Sequence, residues 1–479
     1  MKKISILLFT ALLGLSSVSC DKDFSELVED PNRPVTVPAN LILGSIIRAN
    51  QDVIYNMQAG GDMGICWAQH SSKVQYNDEE RYIPRRAAID GVWNGLYVAV
   101  IADAKAMYTL AEAEGNTNLQ GISLVLQANA FQILTDLYGP IPFSQAVQPG
   151  VYKPVYDSQE EVYAGIINML EQADDLFANG TGDVPATSDL IYGGDMSKWR
   201  KFSNSLELKA LIRISNAPGV NNGAQIADLV AEGNLMTSNA DSAQLVYLSA
   251  FPDANPIWET VVNNPPRPEY KVSSVLVESL EDFNDPRLEV LAQVNNAGIY
   301  VGNIPGEENS GNYNGFSAYG TKYLAPTLPG VILSYAQVEF FLAEAANEGY
   351  IGGGNAAAVE HYNRGIAASF EFNGIGAEAA AYIAQPNITF GDQAGGRIQI
   401  GQQMWFALFG QGFEAWTEWR RTGYPALEPV VNAATIPAMI PNRLYYPTTE
   451  PLVNNANYNA AVATIPGGDQ LTSQVWWQQ

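Results

Sequence analysis

Fifty acidic residues against 25 basic ones leave this 479-residue chain with a formal net charge of -25, a balance that repels phosphate backbones and excludes nucleic acid as a partner. Only 16% of the residues are charged, while 10% are aromatic, with 24 Tyr and 9 Trp. A surface rich in Asn, Gln, Ser and Tyr suits neutral polar ligands held by stacking and hydrogen bonds.

The chain opens with Lys2 and Lys3, an apolar run from Ile4 to Leu15, and small residues from Ser16 to Ser19 before Cys20. This is the layout of a secretory signal, and the run is shorter than the about 20 apolar residues a spanning helix needs. Residues 1–19 are read as a lipoprotein signal peptide, with Ser17 where a lipobox usually has Leu, and Cys20 as the acylated first residue of the mature chain. No later segment is long and apolar enough to cross a membrane, so the expected anchor is lipid alone. Residues 20–38, with Pro31, Pro34 and Pro38, read as a tether, and residues 39–479 as one domain, because no polar linker divides them. Cys66 is left without an intramolecular partner and reads as a small buried hydrophobe.

Helical signatures follow in order. Residues 88–114 and 118–138 carry apolar positions at three- and four-residue spacing with Gly115 and Asn116 between them, which predicts a helical hairpin. Ser158 and Glu161 form a capping box ahead of the stripe Val162, Ile166, Met169, Ala173 and Leu176, with Gly180 as the stop. Ser197 is expected to open the helix of Trp199, Phe202 and Leu206. Ser334 and Gln337 are expected to open that of Val338, Phe341, Leu342 and Ala345, ending at Gly349. Trp405, Phe409, Gly412, Phe413 and Trp416 step along one predicted helix at about 405–420 as core, and Glu418 with Arg421 is spaced for an intrahelical pair worth about 0.2–0.5 kcal/mol. Paired helices at irregular intervals predict a mostly α, helical-repeat scaffold with long irregular loops and little β, without a fixed 34-residue consensus.

Chemistry-bearing motifs are sparse. His70 and His361 stand in no two-histidine metal spacing, so neither a metal nor another cofactor is expected. Gly374, Gly376 and Ala379 fit a bare dinucleotide pattern without its strand-helix unit, and neither a P-loop nor a Gly-x-Ser-x-Gly elbow occurs. A glycosidase needs two carboxylates about 5–10 Å apart, a pairing that 50 acidic residues leave open.

The long Gly-, Pro- and Asn-rich segments at 250–272, 296–333 and 430–479 are where a site is expected. Pyranose faces stack on aromatic rings while hydroxyls pair with Asn, Asp, Gln and Arg. Two regions offer that mixture. One runs from Cys66 to Arg86, with Trp67, Tyr76, Asn77, Asp78, Arg81 and Tyr82. The other holds Trp258, Tyr270, Tyr300, Tyr313, Tyr319 and Tyr323, of which Trp258, Tyr313 and Tyr319 are the candidates. Each of these rings can equally pack a loop onto the helices, so the candidates stand as a set.

Six phrases in order carry a resemblance: Asp30-Pro31-Asn32, Val92-Trp93-Asn94-Gly95-Leu96-Tyr97, Leu137-Tyr138-Gly139-Pro140-Ile141-Pro142, Trp199 to Leu206, Ser334 to Glu339, and Gly412 to Pro425. With the lipoprotein signal, the chain resembles the SusD/RagB-like outer-membrane lipoproteins of Bacteroidetes, in particular the SusD-like branch related to starch-binding proteins. The resemblance implies a tetratricopeptide-like scaffold and binding without catalysis. It also implies docking as a lid on a SusC-like TonB-dependent transporter, and it likens Asp21, Lys22 and Asp23 to the surface-export signal of these bacteria. Ligand sites vary within the family, so it transfers no binding residue. The expected function is capture of an oligosaccharide at the cell surface; a peptide-capturing lipoprotein of the same architecture, or a surface glycoside hydrolase, are the alternatives.

Overall fold

The computed structural model describes residues 37–263 and 265–479. Cys20, the Asp21, Lys22 and Asp23 stretch, and Asp30-Pro31-Asn32 lie outside the described residues. The first half of the chain is a stack of helical hairpins. α1 (Asn40–Tyr55) leads into a π-helix (Met57–Ile65) and a short strand, β1 (Ser71–Lys73). A continuous helix then runs through α2 (Arg86–Asn94), a second π-helical stretch (Gly95–Ile101) and α3 (Ala102–Glu114). It is followed by α4 (Thr117–Tyr138), α5 (Gln159–Ala178), α6 (Met196–Ile214) and α7 (Gly223–Glu232).

The predicted hairpin break falls where the sequence placed it. Gly115 ends α3 with φ at +68°, and the Asn116 side chain caps α4 by accepting from the Leu119 amide. α4 packs on both α3 and α5, and α5 on α6. The expected capping box, Ser158 with Glu161, opens α5.

The second half mixes shorter pieces with one more hairpin. In order come β2 (Ala243–Leu245), α8 (Pro256–Val261), β3 (Tyr270–Val272), α9 (Ser274–Asp282), α10 (Leu288–Leu291) and β4 (Gly330–Leu333). The hairpin is α11 (Tyr335–Asn347) against α12 (Gly354–Phe372), and α11 carries the second expected capping box, Ser334 with Gln337. Then follow α13 (Ala379–Ile383), α14 (Gln393–Ala407), α15 (Gly412–Thr422), α16 (Glu450–Val453) and α17 (Asn455–Thr464). The strands form only two antiparallel ribbons, β1 with β3 and β2 with β4. The fold is mostly α and tetratricopeptide-like, and no described helix is long and apolar enough to cross a membrane.

Two expectations needed correction. α6 is capped by Asp195, whose carboxylate accepts from the Ser197 and Lys198 amides, so Ser197 lies in the first turn rather than at the cap. A charged acceptor beside the positive helix end takes the capping position over a hydroxyl two residues on. The predicted helix at 405–420 is two helices, broken between Leu408 and Gln411, with Gly410 at φ +88°. Its aromatic stripe is nevertheless core: Trp405, Phe409, Phe413 and Trp416 are all buried.

The break permits a close contact. A Cβ on Gly412, at the start of α15, would meet the Gly60 carbonyl oxygen at 2.2 Å, and one on Gly64 would meet the Gly412 carbonyl carbon at 2.5 Å. Only bare backbone lets the first π-helix and α15 approach so far. Behind this contact lies a buried ion network. Arg213 of α6 reaches Glu414 at 2.8 Å and Glu418 at 3.0 Å, while Arg421 reaches Glu344 at 2.6 Å and Glu418 at 2.8 Å. The Glu418–Arg421 pair is therefore no surface decoration of a few tenths of a kcal/mol. Removing one partner of a buried pair costs about 3–5 kcal/mol.

Gly412→Ala is expected to lower stability by about 1–3 kcal/mol in urea unfolding, because the added methyl meets backbone on both sides. A second test concerns Glu207 of α6, which is 4% exposed and faces Glu171, Glu232 and Asp174. Burial first, then those carboxylates, push its pKa up to about 8. A raised carboxyl favours the protonated folded state, so its contribution is complete below the ordinary Glu range and disappears as pH climbs through about 8. Glu207→Gln should raise the melting temperature above pH 8 and leave it unchanged at pH 4 in scanning calorimetry; equal shifts at both pH values would contradict this origin.

Candidate functional site

The segment between β1 and α2 is irregular, and its backbone is fastened by long-range bonds. Glu80, fully buried, accepts the Lys73 amide at 2.8 Å and the Gly306 amide at 2.9 Å. Burial raises its pKa to about 7 against those same hydrogen bonds. The buried Asn77 amide donates to the Glu307 carbonyl, the Gly311 amide donates to the Val74 carbonyl at 3.1 Å, and Ala434 donates to the Arg81 carbonyl at 2.9 Å. Asn432 then ties back, donating to the Gly306 carbonyl at 3.2 Å and accepting from Arg81 Nε at 3.2 Å. Three stretches, at 74–83, 304–313 and 430–434, are thus knitted into one surface.

Backbone strain gathers at the same place. Among the described residues six non-glycines have positive φ, and four of them, Gln69, Tyr76, Tyr82 and Asn432, belong to or adjoin these stretches. Such outliers persist only where surroundings over-determine them, and they concentrate at functional sites.

An ionic cluster lies underneath. Lys73 Nζ sits 3.0 Å from Asp62 and 3.5 Å from Glu79; Arg85 pairs with Glu79 and lies 3.6 Å from Asp62; Tyr270 donates to Asp62 at 2.7 Å. Burial pushes the Asp62 carboxyl up while Lys73 opposes that rise. Asp62 comes from the first π-helix, a rare geometry that places an extra residue per turn and is frequent at functional sites.

The sequence candidates separate by burial. Trp67 is 0% exposed; its indole donates to the Glu79 carbonyl at 2.8 Å and its ring meets Trp416 edge-on at 4.9 Å. Tyr82 is buried and accepts the Val430 amide at 3.0 Å, and Tyr319 is buried with its hydroxyl on Ser71 at 2.7 Å. These three rings and the Asn77 amide hold the loops together, and no ring face is left for a ligand. Tyr270 and Tyr323 are likewise buried. Local sequence shows an aromatic in a loop, not which side of the loop it takes.

Tyr76 is 59% exposed, and Asp78 is exposed with it. Tyr313 is half-buried, and its hydroxyl donates to the Gln75 side chain. Gln75 precedes Tyr76 in the chain, so this bond ties Tyr313 to the stretch that carries the exposed Tyr76. Arg81 is half-buried, with Nε on the Asn432 carbonyl. Trp258, also half-buried, is positioned on α8 by α1 and the first π-helix rather than by the three stretches.

Four exposed aliphatic side chains on or beside this surface, Ile83, Ile304, Val431 and Ile436, and the linking amides Gln75 and Asn432, escaped the sequence reading. The segment 430–479 stands out in sequence as long and irregular, but nothing local singles out its residues. The arrangement offers aromatic faces, aliphatic patches, amides and one guanidinium; it gathers no set of three or more metal-ligating side chains among the described residues. His70 is enclosed by Trp405 and Phe409, and His361 pairs with Glu339 at 2.7 Å.

A family model for SusD-like proteins, described as starch-binding and associating with the outer membrane, matches residues 31–447. Among solved structures, a chitin-binding protein superposes with a TM-score of 0.80 at 26% identity, covering 92% of this chain and 100% of that one. A SusD homologue from Bacteroides fragilis does so with 0.79 at 26% identity, covering 93% and 100%. A chitin-binding SusD homologue from Flavobacterium johnsoniae, at 23% identity and 0.79, covers 92% and 97% and shares the fold. No curated protein matches the chain in sequence. The chain belongs to the SusD-like family.

The burial difference is directly testable. Trp67→Ala should cost about 3–5 kcal/mol of stability in chemical denaturation, as expected for a fully enclosed Trp, whereas Tyr76→Ala should stay within about 0.5 kcal/mol of the parent.

Proposed function

We propose that this SusD-like chain is a non-catalytic, cell-surface lipoprotein that captures an oligosaccharide on the Tyr76–Tyr313 surface and hands it to a SusC-like TonB-dependent transporter. The observation that carries the reading is the exposure of Tyr76 next to Gln75, which holds the Tyr313 hydroxyl, on irregular stretches pinned by buried side chains. Aromatic rings on a preorganised loop surface lose little freedom on binding, so stacking on a sugar face is not offset by loop ordering. Gln75, Asp78 and Arg81 on the Tyr76 stretch, and Asn432 bonded to Arg81, supply donors and acceptors for hydroxyls. The low charged fraction, the starch-binding description of the family and the chitin-binding relative support a neutral glycan over a charged cargo.

Cys20 is the site of the anchor in this proposal, and Asp21, Lys22 and Asp23 direct the protein to the outer face of the membrane. Acyl chains fix the body at the membrane without a spanning helix, which leaves the loop surface available to a partner barrel.

Calorimetric titration with chitin and starch oligosaccharides is the primary test. Tyr76→Ala and Tyr313→Ala are each expected to weaken binding by about tenfold, equivalent to about 1.4 kcal/mol. Their folding should be preserved, and no reducing ends should be released from the bound sugar. Undiminished binding in the double variant, or released product, overturns the reading. In cells, Cys20→Ala should move the protein out of the outer-membrane fraction.

A further inference from the structure

A groove of about 410 Å³ lies between α1 and α2 and shares no lining residue with the three stretches. Its volume falls in the about 300–1,000 Å³ range of small-ligand sites. Ala49 and Val53 of α1 and Ala88 of α2 give it an apolar lining, and Asp52, Asn56, Gln58 and Arg85 bring polar groups to it. The glycines of α2 and the stretch that continues it explain why it is open. Gly95 is required by packing, because a Cβ there would meet Val53 Cγ2 at 2.5 Å. Gly91, one turn earlier and lining the groove, has no atom of a described residue within 4 Å of where its Cβ would stand, and its φ is not positive. After proline, glycine is the weakest helix former, so an exposed helix-interior glycine with neither steric nor conformational need is unexplained by the fold. Glycine is the residue used where a ligand comes against the backbone.

The polar groups point to the kind of ligand. Asn56 accepts the Gln58 amide through its side-chain oxygen at 2.9 Å, which leaves its NH₂ available. Arg85 commits Nε to Glu79 and one amino group to Asp62, leaving the other amino group. Burial raises the pKa of Asp52 against its bond with Arg48. One acid, one base and two amides around methyl groups match a neutral ring with an apolar face and a hydroxylated edge better than an ion. We infer that the α1–α2 groove is a second sugar-binding site, in which a pyranose ring lies against the Gly91 backbone with its hydroxyls on Asn56, Gln58 and Arg85. The inference rests on the glycan reading above for the class of ligand, and on the groove alone for the place.

Titration of the full mature chain in detergent with chitohexaose and with maltoheptaose tests it. For whichever sugar binds, the parent should show two sites. Gly91→Trp, which fills the groove from open space, should remove one site and keep the melting temperature. Gln58→Ala should weaken that same site by about fivefold without filling it, and Gly91→Ala should raise the melting temperature while weakening the groove site and leaving the other unchanged. The Tyr76→Ala, Tyr313→Ala double variant should lose only the other site. Equal binding by the parent, Gly91→Trp and Gln58→Ala overturns the groove and leaves the loop surface standing. If Gly91→Trp removes the single site present, the groove stands and the loop reading falls; if neither sugar binds the parent, both fall.

Discussion

Irregular backbone has to satisfy its polar groups without a ladder, and in this protein that requirement falls on a few buried side chains beneath the candidate surface. Glu80 is the clearest case, one carboxylate gripping the amides of Lys73 and Gly306 from stretches more than 200 residues apart in sequence. Asn77 repeats the device from a buried position, and Asn432 does so from the exposed rim. The path of the backbone that carries Tyr76 is thus set by side chains from distant parts of the chain. The helical stack provides the ground on which these fastenings rest, through glycine contacts between the first π-helix and α15.

Much of the scaffold was legible from sequence because its signals are local. Both capping boxes and the Gly115–Asn116 break lie within a few residues of the structure they specify. Ser197 misled because the competing acceptor, Asp195, stood two residues earlier, and the 405–420 stripe continued in sequence through a break that Gly410 introduces. The candidate surface was legible as a region and not as a list. Trp67 and Tyr76 have similar neighbourhoods, yet one is enclosed by Trp416 and Tyr82 and the other faces solvent. Only the path of distant segments decides between them, and no local pattern carries that path.

The interior of the helical stack holds several buried charges. Arg213, Arg287, Arg420 and Arg443 are all buried, each with carboxylate, carbonyl or side-chain amide partners. Desolvating such groups is costly, and pairing recovers the cost only when geometry is good. Their value lies in restricting how the helices can pack, because a shifted register would strand a charge. Glu418–Arg421, an unremarkable spacing in sequence, becomes one link in a chain of charges joining α6, α11 and α15.

The candidate surface is assembled from three parts of the chain that are remote from one another, at 74–83, 304–313 and 430–434. The ties between them run through Glu80, Asn77, Asn432 and main-chain amides and carbonyls, so outward side chains such as Tyr76 and Ile436 can be replaced with every tie intact. Variation at the rim is therefore separable from folding: a lineage with this framework can change one outward residue at a time while the knitted backbone keeps its path.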